Sequence, residues 1–204
     1  MNRRWLLAAC LAFSGCSVLP SQPYIARRDW PLVVRRTDVR PSSPGAPALL
    51  VRSVRAGPGL GQRGLQVLRA DGSLEIGYYN QWAVPPAEAV EDDLRHWLAG
   101  SGLFAGVVGP GSQLDPRLVL ESELTVLLAD PARHEARAAM SLVLLDRAHA
   151  GLGVNDRVLL QTTVHGSASL GGTDAPAEVV AMRAAVAAML VAAEAAVAQH
   201  LPAK

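Results

Sequence analysis

The sequence predicts an α+β fold in which two helices cover a mostly antiparallel sheet, giving a two-layer domain. Three segments between residues 118 and 165 alternate apolar and polar side chains, as strands with one buried face do. Two other segments, residues 86–99 and 176–201, repeat apolar residues at helical spacing. We expect the folded domain to span residues 48–204.

The first half of this domain is predicted to form three strands and one helix. Residues 48–55 form the first strand, and residues 65–69 pair with residues 74–79 across Asp71-Gly72, a strong hairpin signal. Pro85-Pro86 opens the helix, whose acidic residues precede its basic ones, as the helix dipole favours. Its acidic residues are Glu88, Glu91, Asp92 and Asp93, and its apolar stripe is Val90, Leu94, Trp97 and Leu98.

The second half is predicted to add three strands and a long alanine-rich helix. The strands cover residues 118–129, 136–144 and 158–165. In the first of them one face is predicted to carry Leu118, Leu120, Leu124, Val126 and Leu128. The helix is expected to lie on the sheet, and not in a membrane, through the stripe Val179, Met182, Val186, Met189, Ala193 and Val197.

The N-terminus has the layout of a secretory signal peptide over residues 1–15. Arg3 and Arg4 are followed by an apolar run over residues 5–13, which is too short to span a bilayer. Ser14-Gly15-Cys16 then resembles the lipobox of bacterial lipoproteins, in which the cysteine becomes the lipidated first residue. The alternative is an ordinary signal peptide in which Cys16 occurs by chance.

Cys16 is favoured as the acylated residue, because a lipobox ending at Cys10 would leave almost no apolar segment before it. Ser17 follows, and by resemblance to lipoproteins of double-membraned bacteria this implies the periplasmic face of the outer membrane. Cleavage leaves 17 Lys and Arg against 18 Asp and Glu, a formal net charge of −1. This balance argues against a nucleic-acid partner. No thiol remains for a disulfide, a metal site or a nucleophile.

Residues 16–47 are predicted to form a Pro- and Arg-rich tether. Residues 32–34 could form a short edge strand within it. Its arginines could contact anionic lipid head groups, or they could simply remain solvated. These arginines are Arg27, Arg28, Arg35, Arg36 and Arg40.

Two apparent catalytic or cofactor motifs do not fit their sequence context. Residues 59–64 spell G-x-G-x-x-G, but a strand follows where a dinucleotide site needs a helix N-terminus, so we predict a loop. Ser167 or Ser169 near His165 could form a hydrolase pair, but residues so close along one strand seldom do. We therefore expect no enzyme activity, no cofactor and no metal.

Three aromatic residues, Tyr78, Tyr79 and Trp82, lie within five positions of one another. One interpretation is a core plug in which Trp82 closes an end of the sheet. The other is an exposed surface that contacts lipid or a partner protein, with Asn80 and Phe104 contributing.

Residues 79–86 resemble the Y-N-x-W-x-x-P-P signature of the ABC-type transport auxiliary lipoprotein family. Residues 98–108 and 115–124 resemble the segments that follow in that family, so the likeness extends from about residue 48 to residue 201. The resemblance implies a non-enzymatic accessory of an ABC transporter that, with an MCE-domain protein, moves lipids between two membranes. It implies an ATPase, a permease and the MCE protein as partners, and leaves a homo-oligomer open.

Two further hypotheses remain beside this docking role. The domain could be a lipid-binding carrier with an apolar cavity between sheet and helices. It could also be a periplasmic hydrolase that uses His165 with a serine.

Overall fold

A computed structural model describes residues 24–114, 116–147 and 156–202 of the chain. In these ranges nine strands form one sheet and two α-helices pack on it, which confirms the predicted α+β fold. The elements are β1 (Arg28–Trp30), β2 (Ala48–Val51), β3 (Arg55–Ala56), β4 (Gly64–Leu68), β5 (Leu74–Trp82), α1 (Pro86–Ala99), β6 (Gly106–Val108), β7 (Leu118–Asp130), β8 (Glu135–Asp146), β9 (Arg157–Ser169) and α2 (Ala175–Gln199).

The sheet is mixed, so the prediction of a mostly antiparallel sheet was wrong. Among the described strands, β4–β5, β7–β8 and β8–β9 are antiparallel pairs, while five pairs, each with at least one short strand, are parallel. Alternation along a strand indicates which face is buried, but it does not determine the direction of the neighbouring strand. The long alternating segments are antiparallel as predicted, and the short early strands account for the parallel pairs.

The central strand of the sheet is β7. Along one edge it pairs with β8 over almost its whole length, from Leu118 opposite Asp146 to Asp130 opposite Glu135. Its other edge is shared by β2, β3 and β4, each in parallel. The first and second halves of the domain therefore meet at β7.

A register shift in β7 between Leu124 and Val126 reverses which side chains face the core. Beyond the shift Leu127 (1% exposed) and Ala129 (0%) are buried. The predicted inward positions of Val126 and Leu128 are therefore wrong, because one extra residue in a strand inverts its alternation.

Both predicted helical stripes are buried. Val90 and Leu94 represent the stripe of α1, and Val186 and Met189 that of α2; all four are fully buried. By length and composition α2 could cross a membrane. Its packing on β7, β8 and β9 explains this apolar composition, as predicted.

Gly166 in β9 allows α2 to approach the sheet closely. A Cβ atom at this position would overlap the carbonyl oxygen of Ala185 and the amide nitrogen of Met189. The helix backbone therefore lies directly against the strand at this point.

From Arg28 onward, the predicted tether over residues 16–47 is part of the fold. β1 pairs in parallel with β5, and Leu32 and Val34 are buried in the core. The short edge strand lies at β1 and not at residues 32–34. A proline-rich composition limits backbone donors but does not prevent alternate apolar side chains from packing. Residues 16–23 lie outside the described ranges.

Residues 31–40, which we call the strap, are fastened to both helices. The guanidinium of Arg36 donates to the Glu194 carboxylate at 3.0 Å and to the Trp97 carbonyl oxygen at 2.9 Å. It also lies over the Trp97 ring, 5.3 Å from the centroid, and its side chain is only 5% exposed. Such a buried ion pair requires a fixed geometry, so the strap belongs to the domain.

Candidate functional site

Cys16, the predicted lipid attachment site, lies outside the described residues, and its acylation stays a prediction. The described chain begins at Tyr24, eight residues after Cys16. Any surface that holds Cys16 is therefore close to β1 and to the strand beside it, β5.

Two of the five predicted contact residues lie in the core. Trp82 is 1% exposed and Phe104 is 2% exposed, so neither side chain can present a contact surface. Trp82 is the core plug of the first interpretation, at the end of β5 where the chain turns into α1. For these two residues the contact-surface interpretation is wrong, because both side chains are buried. Trp82 lies beyond the register shift of the β4–β5 pair, which turns it to the face opposite that of Leu74 and Ile76.

The other three residues lie at or near the surface. Tyr78 is 65% exposed and Tyr79 is 42% exposed, and their rings meet edge to face with centroids 5.0 Å apart. Asn80 is half-buried, and its side-chain oxygen accepts a hydrogen bond from the Trp30 indole at 3.3 Å. Asn80 thus joins β1 to β5, whereas the two tyrosines remain available for contact.

Tyr78 belongs to a larger exposed apolar surface, which we call the β5 patch. Leu74 (45% exposed) and Ile76 (39%) lie at alternate positions of β5 and share a face. Beyond Ile76 the pairing of β5 with β4 is irregular, and the exposed Tyr78 lies in that irregular segment. Tyr24 (91%) and Ile25 (56%) precede β1, which runs beside β5. The β5 patch consists of Tyr24, Ile25, Leu74, Ile76 and Tyr78.

Sequence reasoning missed most of the β5 patch. The sequence predicts Leu74 and Ile76 in the hairpin and Tyr24 and Ile25 in the tether, and neither prediction concerns the exposure of these side chains. The period-2 spacing of Leu74 and Ile76 was the available signal. It could not show that no element covers this face.

The β5 patch is bordered by arginines. The guanidinium of Arg27 lies 4.0 Å from the centroid of the Tyr78 ring, and Arg28 is exposed beside it. Residues 24–30, 63–69 and 74–82 together carry four arginines and two carboxylates. The two carboxylates already have partners: Asp29 accepts from Gln81 at 2.7 Å, and Glu75 accepts from Arg69 at 2.6 Å.

Asp93 is a buried carboxylate between α1 and the strap. It accepts the backbone N–H of Val34 at 3.0 Å and pairs with Arg35. Burial raises the pKa of Asp93 to about 6, against the smaller opposing effects of the Val34 N–H and of Arg35. From the sequence, Asp93 is expected to interact with the dipole of α1. In the structure its carboxylate binds Val34 and Arg35 of the strap.

Two cavities lie on the face of the sheet away from the helices. One, of about 290 Å³, is bordered by Arg52 and Arg55, which pair with Glu121 and Glu123. Because each arginine is already neutralised by a glutamate, this cavity offers no net charge to a ligand.

The second cavity, of about 310 Å³, is lined by the two residues of the hydrolase hypothesis, His165 and Ser167, with Arg137. Ser169 lies further along the same strand, exposed, opposite Glu135. Within the described ranges no hydrogen bond joins His165 to either serine. The arrangement therefore offers no specific support for a nucleophile and its base.

The G-x-G-x-x-G segment is a loop, as predicted. Leu60 in its middle is buried, and Gly64 at its end begins β4, so no helix N-terminus follows it. Among the residues that the structure describes, no group of three or more His, Cys, Asp or Glu could hold a metal ion. The expected absence of a cofactor and a metal stays a prediction.

The space between sheet and helices, where the carrier hypothesis needs a cavity, is filled by side chains. Leu118, Leu120 and Leu142 on the sheet and Met182 and Met189 on α2 are all fully buried in one cluster. No observation in the described part of the chain favours a lipid held between the sheet and the helices.

The described part of the chain is thus an α+β domain with exposed apolar side chains on and beside β5. Residues 32–194 match the family described as the ABC-type transport auxiliary lipoprotein component. Since the match covers most of the chain, the protein belongs to this family, as its resemblance implied. The family is one of transport accessories, which associate with an ABC transport system.

Solved structures share the fold. The crystal structure of protein XCC0632 from Xanthomonas campestris, of the DUF330 family, has a TM-score of 0.66 at 19% identity, covering 80% of this chain and 90% of that one. The crystal structure of an uncharacterized protein has a TM-score of 0.61 at 14% identity, covering 78% and 95%. No curated protein matches the chain significantly. At these identities the likeness is one of fold alone.

Proposed function

We propose that this protein is the outer-membrane docking lipoprotein of an ABC transport system that works with an MCE-domain protein and moves lipids or other hydrophobic molecules across the cell envelope. Acyl chains on Cys16 would hold it at the periplasmic face, and its role there is non-enzymatic. The observation that carries the proposal is the family match over residues 32–194, together with the lipobox-like residues ahead of it.

The physical argument concerns anchoring and reach. Each buried methylene of an acyl chain contributes about 0.8 kcal/mol, so several chains hold a protein on a membrane almost permanently. With the strap folded, only residues 17–27 separate Cys16 from β1. Fully extended, that segment spans about 40 Å. The domain therefore stays near its own membrane, and a partner from the other membrane must reach it.

The anchoring part is tested with Cys16→Ala, and Cys10→Ala is the matched control because Cys10 lies within the signal peptide and is removed with it. We expect the mature wild-type protein and the Cys10→Ala variant to carry acyl chains and to fractionate with the outer membrane. Cys16→Ala should carry none and should abolish transport. The measurements are the intact mass of the N-terminal peptide and membrane fractionation on a density gradient. Acylation that persists in Cys16→Ala would contradict the proposal.

The partner part is tested separately, by crosslinking in cells followed by purification of the lipoprotein. We expect the MCE-domain protein to be recovered with wild type and to be lost with Cys16→Ala, because an unanchored domain no longer faces the assembly. Recovery of the permease and the ATPase without an MCE protein would refute the partnership with an MCE protein. The role as an accessory of an ABC transport system would remain.

A further inference from the structure

We propose that the β5 patch is a second membrane contact, which lays the domain on an anionic lipid surface. The inference rests on the proposed function only in taking Cys16 as the anchor. It concerns the folded domain's own affinity for lipid, which exists whether or not Cys16 is acylated.

The first argument is the composition of the patch. Tyr24, Ile25 and Tyr78 are more than half exposed, and Leu74 and Ile76 add aliphatic surface beside them. Monomeric soluble proteins rarely expose contiguous apolar surface of this kind without a binding role. Tyrosine rings in particular favour the boundary between lipid head groups and acyl chains, where one end of the ring is apolar and the other is wet.

The second argument is charge. Arg27 and Arg28 stand at the border of the patch, while the nearby carboxylates Asp29 and Glu75 are already engaged by other side chains. Residues 24–30 and 63–82 carry four arginines against three carboxylates, Asp29, Asp71 and Glu75, so the local net charge is positive, although the mature chain as a whole is slightly negative. Basic residues beside an exposed apolar surface are complementary to anionic head groups.

The third argument is position. Tyr24 follows Cys16 by eight residues, so an anchored Cys16 keeps the patch within about 27 Å of the membrane. Tethering at such a distance gives the second contact a high effective concentration and makes even a weak affinity sufficient. A lipid surface is the partner that the anchor itself brings to this side of the domain.

The chain offers an internal control for exposed apolar surface. Val180 (65% exposed) and Val191 (55%) lie on the exposed face of α2, outside the β5 patch. A Val180→Ser/Val191→Ser variant removes apolar surface from the domain without touching the β5 patch.

The test is co-flotation of the mature chain, residues 16–204, produced without its signal peptide so that Cys16 stays unacylated. The probes are vesicles of phosphatidylcholine alone and vesicles in which about one third of the lipid is phosphatidylglycerol. We expect wild type to float with the anionic vesicles, and more weakly as the salt concentration rises. Arg27→Gln/Arg28→Gln should weaken binding about fivefold per arginine.

Ile76→Ser/Tyr78→Ser should weaken binding to the anionic vesicles at least as much, and Val180→Ser/Val191→Ser should leave it unchanged. Thermal unfolding of each variant checks that the fold is kept. Three results would each overturn the inference. Wild type and the β5-patch variants could bind equally, the α2 control could lose as much binding as those variants, or wild type could fail to bind anionic vesicles. Because neither acylation nor a partner protein enters the assay, a negative result leaves the proposed function untouched. Failure of the proposed function would likewise leave the domain's own affinity for lipid untouched.

Discussion

Replacing Asp93 should change how the stability of the domain depends on pH. The ordinary pKa of this carboxyl is 3.8, and burial raises it to about 6 in the folded chain. The folded state therefore holds the proton more tightly than the unfolded state does. The stabilisation that comes from this tighter proton binding is fully present below pH 4 and is lost as the pH rises through 6.

The size of the effect follows from the shift. Each pKa unit corresponds to about 1.4 kcal/mol, so a shift of roughly two units is worth about 3 kcal/mol. The Asp93 side chain is 1% exposed, which leaves little solvent screening. An asparagine has the shape of the protonated acid and can still accept the Val34 N–H, but it never ionises.

We expect the stability of Asp93→Asn, relative to wild type, to increase by about 3 kcal/mol between about pH 4 and about pH 7.5. The measurement is urea denaturation at both pH values, followed by tryptophan fluorescence. Asp92→Asn is the matched control, because Asp92 is 43% exposed and pairs with the same Arg35 at 3.1 Å. A difference for Asp93→Asn that stays constant with pH, or that falls, would refute the reasoning.

Two further substitutions test the packing of α2. Gly166→Ala should lower the free energy of unfolding by about 3 kcal/mol or more, because its methyl group would overlap the α2 backbone. The control Gly61→Ala, with open space around it, should lower it by less than about 0.5 kcal/mol. Equal shifts of the denaturation midpoint in both variants would show that the close approach is not needed. Arg36→Ala should cost about 3 kcal/mol, since it removes the 3.0 Å partner of the Glu194 carboxylate, which is 16% exposed. The double variant with Glu194→Ala should lose less than the sum of the two single variants, and additive losses would show that the pair is not coupled.

Local patterns were sufficient to predict most elements and their buried faces. The α2 stripe and the α1 stripe are buried as predicted, and the hairpin turns at Gly72, whose φ of 84° suits glycine. These predictions succeeded because helix and strand periodicity depend on neighbours along the chain. The same reasoning failed in β7 beyond Leu124, where the bulge responds to the strands on either side.

The features that sequence reasoning missed all depend on contacts between distant segments. The strap is held by Arg36, 158 positions from Glu194, and no local pattern distinguishes that arginine from the others in the predicted tether. Likewise, the exposure of Ile76 depends on no element covering that face of β5. For the same reason the sequence alone does not decide whether Trp82 is a core plug or part of a contact surface, whereas in the structure its side chain is buried.

The central place of β7 also constrains how the chain reaches its native state. β2, β3 and β4 are made before β7, yet each of them also has to pair with β7. The β4–β5 hairpin can close early, but a lone hairpin is marginal in water. The chain before Leu118 therefore has to wait for later residues, and such non-local pairing slows folding and prolongs exposure of apolar segments. A truncation that ends before β7 should for this reason leave an aggregation-prone fragment and not a smaller domain.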